Sequence, residues 1–113
     1  MKAYRLEVTT KNGNQNGPYL MADWDKLDEP LQSICDEMFK EHTDTWRPKP
    51  KSFDDPKLAP RCRSACVSIA TLKKWFGDWL PLILLHGGVL RVVEVSDEKI
   101  VERDEYQVTY LID

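Results

Sequence analysis

Residues Arg61–Phe76 read RCRSACVSIATLKKWF. Ser64, Ala65, Cys66 and Val67 are small residues of strand character, and Ser68 follows where a helix N-cap would stand, its hydroxyl free to accept an orphan backbone N–H. After it, Ile69, Leu72, Trp75 and Phe76 recur at the three-and-four spacing of one buried helical face. A strand that delivers a serine to a helix start leaves N–H groups facing outward, a natural seat for an anion. A capped amphipathic helix with no ligand is the plainer alternative.

Beyond this stretch, Gly77 and Asp78 break the chain. Asp78 is expected to cap a short helix over Trp79–His86 that is apolar nearly all round and therefore buried. Gly87 and Gly88 end it. Val89–Val95 reads as a strand, Lys99–Glu102 as a shorter one and Glu105–Ile112 as the last, with Tyr106, Val108, Tyr110 and Ile112 on one face and Glu105, Gln107 and Thr109 on the other.

Ahead of it, Ala3–Thr10 alternates, placing Tyr4, Leu6 and Val8 on one side and Arg5, Glu7 and Thr9 on the other, as in a half-buried strand. Lys11–Tyr19, dense in Asn and Gly, reads as a loop. From Leu27 the apolar positions Leu31, Ile34, Cys35, Met38 and Phe39 form a helix stripe, with Pro30 suited to the first turn. His42 ends that stripe, as a partly buried group near the last carbonyls. Residues 47–60 hold Pro48, Pro50, Pro56 and Pro60 and form a proline-rich loop. Trp46 and Phe53 either staple this loop to the body or contact a partner. The whole, residues 1–113, reads as one α+β domain: a small, mostly antiparallel sheet with two or three helices.

Composition narrows the function. A chain of 113 residues with 42% hydrophobic and 31% charged content is an ordinary globular domain. A net charge of −3 gives no general electrostatic grip on nucleic acid. No apolar run approaches the roughly 20 residues of a membrane span, and the first residues lack a signal-peptide core, so a cytoplasmic location is expected. Cys35, Cys62 and Cys66 lack the paired spacing of a metal framework even with His42 and His86 counted, and buried, reduced thiols are expected. The sequence has no phosphate-cradling G-x-x-x-x-G-K-[ST] loop, no H-E-x-x-H and no G-x-S-x-G elbow.

Three polar groups remain, each on the polar side of an expected strand: Arg5 on the first, Ser64 (or Ser68) on the central one, and Glu105 or Gln107 on the last. Together in one cleft they would suit a ligand with phosphates and a ribose. The guanidinium would grip the anion and an acceptor would take the ribose hydroxyls. Solvent-facing strand positions are polar in any case, so each residue alone is equally consistent with an open sheet face.

The order Tyr4-Arg5, Gly17-Pro18-Tyr19, then Arg63–Ser68 with Leu72, Trp75 and Phe76, and an ending over Tyr106–Tyr110, resembles a group of small phage proteins. These in turn resemble minimal members of the ADP-ribosyltransferase fold. The resemblance implies NAD as cofactor, held by Arg5 beside Tyr4 and by Ser64 with Ser68. It implies Glu105 as the catalytic acid, with Gln107 the competing position. Ser64-Ala65-Cys66 stands where that fold family carries Ser-Thr-Ser.

Two functions follow as expectations. One is a phage-encoded binding protein directed at a host bacterial protein, an inhibitor of a defence system of the anti-CRISPR or another anti-defence type, with Trp46 and Phe53 as contacts. The other is a mono-ADP-ribosyltransferase that uses NAD to modify a host protein. Neither involves direct nucleic-acid binding or a membrane.

Overall fold

The computed structural model describes residues 1–19, 27–43 and 45–112. In chain order the elements are β1 (Lys2–Thr9), β2 (Gln15–Asn16), α1 (Leu31–Thr43), β3 (Cys62–Cys66), α2 (Ile69–Phe76), α3 (Trp79–Leu85), β4 (Val89–Glu94), β5 (Ile100–Arg103) and β6 (Gln107–Leu111). Short 3₁₀ turns occupy Lys51–Asp54, Ala59–Arg61 and Asp97–Lys99. The strands make a six-stranded sheet of order β2-β1-β3-β6-β5, with β4 also paired to β1. The β1–β2, β1–β3, β3–β6 and β5–β6 pairs are antiparallel. The α+β class with a mostly antiparallel sheet and three helices is therefore the observed architecture.

Chain contacts divide the protein into two compact units. One comprises Met1–Arg5, Pro48–Trp75 and Val92–Asp113, the other Leu6–Arg47 and Phe76–Arg91. In the first, Ala3, Ala65, Val95, Val108 and Tyr110 form a buried cluster, flanked by Met1, Val67, Val93 and Ile100. Cys62 and Cys66 are buried there. In the second, α1 packs on α3, and Cys35 and Met38 of α1 and Leu80 and Ile83 of α3 are buried. Cys35 is a free thiol, and burial pushes it up to about 11.

The helix read from Ser68 onward forms as expected. The Ser68 hydroxyl accepts the Thr71 N–H at 3.1 Å, and the Thr71 hydroxyl donates back to the Ser68 carbonyl at 2.9 Å. Leu72, Trp75 and Phe76 are buried, but Ile69, in the first turn, is exposed. Gly77 adopts φ +55° after the helix. At the end of α3, Gly87 (φ +105°) turns the chain so that the Gly88 N–H reaches the Ile83 carbonyl at 2.9 Å, the closure that left-handed glycine makes possible.

Four expectations are corrected. Lys11–Tyr19 is not a plain loop: a turn closed by Thr10 N–H to the Asn14 carbonyl lays β2 against Val8 and Thr9. α3 is not buried all round, since Leu82 and Leu85 are exposed. Asp78 precedes it without a side-chain capping bond. Finally, β1 is not half-buried, because Arg5 and Glu7 are buried along with Leu6 and Val8.

Candidate functional site

Neighbouring residues in a strand point to opposite sides of the sheet, while residues directly across a ladder share a side. Register therefore decides which expected site residues meet. Tyr4 lies opposite Cys66, and Cys66 opposite Gln107. Ser64 lies opposite Thr109, and their hydroxyl oxygens are 3.0 Å apart. Tyr4, Ser64 and Gln107 thus share one face. Arg5, one residue on from Tyr4, faces the other way, the side of Ala65 and Val108.

The Arg5 guanidinium is buried and donates from Nη1 to the Ser64 main-chain oxygen at 2.6 Å. That bond runs to the backbone, not to the Ser64 hydroxyl. By strand alternation the Arg5 and Ser64 side chains leave opposite faces of the ladder, and the bond that joins the two residues does not use the Ser64 hydroxyl. Ser68 is engaged as the cap of α2.

Glu105 lies ahead of β6, exposed, within a turn. Asp104 makes that turn by accepting the N–H groups of Tyr106 (2.7 Å) and Gln107 (2.8 Å), the side-chain mimicry of a backbone turn that Asp favours. Burial pushes the Cys66 thiol up to about 11, with the Gln107 side chain opposing the rise and the Asp104 charge adding to it.

The two aromatic residues beside the proline-rich loop part company. Trp46 is 48% exposed, with the Arg47 guanidinium 4.8 Å above its ring, a cation–π contact. Phe53 is half-buried within the turn Lys51–Asp54. That turn is clamped by Glu102 of β5, whose carboxylate accepts the N–H of Lys51 at 2.9 Å, the N–H of Ser52 at 2.8 Å and the Ser52 hydroxyl. Loss of hydration pushes the Glu102 carboxyl up. The Ser52 and Lys51 donors and the Lys51 charge outweigh this and hold it below the usual carboxylate range. Nothing in the sequence marked Glu102 for this role, since an acid in a short strand has no distinguishing spacing.

β4 carries the least usual surface. Val89, Leu90 and Val92 are all exposed, Val92 at 61%. Just ahead of it, Leu85 at the end of α3 is 77% exposed. Among the described residues, β4 pairs with β1 alone, so its outer edge meets no other strand. The VLRVVEV pattern, apolar at both parities, was the available signal. It reads equally as a strand covered on both faces.

A last cluster surrounds His42 in the second unit. Tyr19 stacks on Phe76 with centroids 5.9 Å apart and meets Phe39 and His42 edge-on. His42 is 8% exposed and its Nδ1 shares a hydrogen bond with the Tyr19 hydroxyl. Among the described residues, its Nε2 is buried with no hydrogen-bond partner. Burial pushes the imidazole down to about 4, helped by the Arg47 charge and opposed by Glu41.

Among the described residues, no group of three or more His, Cys, Asp or Glu side chains is placed to hold a metal ion, and no helix is long and apolar enough to cross a membrane. No family model, curated protein or solved structure matches the chain.

Proposed function

We propose that this protein acts by docking onto another protein, as a phage-encoded inhibitor directed at a host bacterial defence component. The observation that carries the reading is the outward apolar surface of β4, with Leu90 and Val92 standing where an edge strand is ordinarily guarded by charge. Exposed apolar strand surface is costly in a free protein and is covered in a complex. Trp46, a half-exposed aromatic braced by Arg47, is a further anchor of the kind that dominates interface energetics.

The rival reading, a mono-ADP-ribosyltransferase using NAD, needs a cation, a hydroxyl and an acid around one ligand. The departure of the Arg5 and Ser64 side chains from opposite faces of the ladder counts against it, as does the position of Glu105 outside β6.

Affinity capture from host lysate tests the proposal. The native chain is expected to retain one stoichiometric partner, and Leu90→Glu or Trp46→Ala to reduce its recovery at least tenfold with unchanged circular dichroism. Transfer of label from NAD to a host protein, abolished by Glu105→Ala or Gln107→Ala, would overturn it in favour of the transferase.

A further inference from the structure

The aromatic cluster around His42 has a chemistry that docking does not use. We propose that His42 is a proton-operated latch, holding Tyr19 against the end of α1 while the imidazole is neutral and releasing it when the imidazole takes a proton.

The geometry supplies both halves of the device. In the neutral ring one nitrogen carries a proton and the other a lone pair, so the Nδ1–Tyr19 bond can form in either tautomer, and among the described residues Nε2 is left buried without a partner. A buried polar atom in that condition is tolerable only while uncharged. Protonation gives both nitrogens an N–H, and among the described residues Nε2 still has no acceptor, now under a full positive charge.

Among the described residues, the groups around the ring do not rescue that charge. From the segment after β2 comes the Tyr19 hydroxyl, already engaged with Nδ1. From the end of α2 comes Phe76, uncharged, its ring centroid 6.4 Å from that of the imidazole. Beyond α1, Arg47 repels the added charge. On α1 itself Glu41 attracts it, but Glu41 also accepts the Trp79 indole N–H of α3 at 3.1 Å. Proton uptake therefore favours states in which the imidazole reaches water, and those states part Tyr19 from His42.

The sign is fixed by linkage. The closed form holds the imidazole down to about 4 against an ordinary value of 6.5. Closure is then fully favoured above pH 6.5, weakens as pH falls, and levels off below pH 4. The closed-to-open ratio drops by at most about 300-fold over that span.

Proton NMR of the imidazole carbons, with amide exchange corrected for intrinsic rates, tests the latch on the full chain between pH 7 and pH 4. His42 is expected to titrate below pH 5 in the closed form. Exchange in the last turn of α1 and around Tyr19 should accelerate in step with acidification, while β3 and β6 stay protected. His42→Gln, which keeps a hydrogen-bonding group but cannot titrate here, should flatten the pH dependence at those amides, and His42→Phe should do the same. The idea is overturned if His42 titrates at its ordinary value, or if exchange around Tyr19 in His42→Gln still rises on acidification as in the native chain.

Discussion

Arg5 and Ser64 are bonded to each other and yet face opposite ways. The Arg5 guanidinium donates to the Ser64 main-chain oxygen at 2.6 Å, while the Ser64 hydroxyl meets that of Thr109 at 3.0 Å. Arg5 is thereby a structural cation, holding β1 to β3 through a side chain as well as through the ladder.

Replacing Arg5 should thus act on stability before it acts on any ligand. Arg5→Ala leaves the Ser64 carbonyl without its charged donor, and a loss of about 2–3 kcal/mol is expected. Urea unfolding measures it, with Arg5→Lys recovering part of the loss. Calorimetric titration of the native chain with NAD should give no heat of binding.

Glu102 is expected to control the proline-rich loop. Glu102→Ala removes the acceptor for two N–H groups and a hydroxyl, at a cost of about 2 kcal/mol locally. Limited proteolysis with trypsin should then cut at Lys51 or Lys57 much faster than in the native chain. The carboxyl is held low in the folded state, so its contribution is present above its unfolded value of about 4.5 and fades as pH falls through the folded value. Protection of the Lys51 and Ser52 amides should fade with it.

Gly88 should not tolerate a side chain. A Cβ there would stand 2.5 Å from Ile83 Cγ2 and 2.9 Å from the Ile83 carbonyl oxygen. Gly88→Ala forces the end of α3 to shift, and a destabilisation of about 1–3 kcal/mol is expected from thermal unfolding.

The cap of α2 gives a smaller effect. Ser68→Ala removes the acceptor for the Thr71 N–H, and about 1 kcal/mol should be lost. Ser68→Asp should restore most of it, which a substitution that merely disturbed packing would not do.

Much of this architecture was legible along the chain. The cap at Ser68, the buried trio Leu72, Trp75 and Phe76, the glycine stop at Gly87 and the alternation of Val108 and Tyr110 all follow from local rules, because each depends on neighbours within one element. The candidate site was not legible, for a physical reason. Arg5 and Ser64 each looked like the polar side of a strand, but the polar sides of two strands coincide only in one of two registers. Tyr4 opposite Cys66 selects the other. The exposure of Leu85, Leu90 and Val92 was hidden likewise, since apolar residues announce burial whether or not something covers them. Glu102 and Ser52 are 50 positions apart, and no periodicity joins them.

Two of the three cysteines, Cys35 and Cys66, give the molecule its own pair of gauges. Cys66 sits in one compact unit and Cys35 in the other, both enclosed and both with thiols too weakly acidic to react while enclosed. An alkylating reagent can reach either only after that half opens. Mass analysis of which peptide is tagged first would show whether the halves come apart together or in turn, with no probe added to the chain.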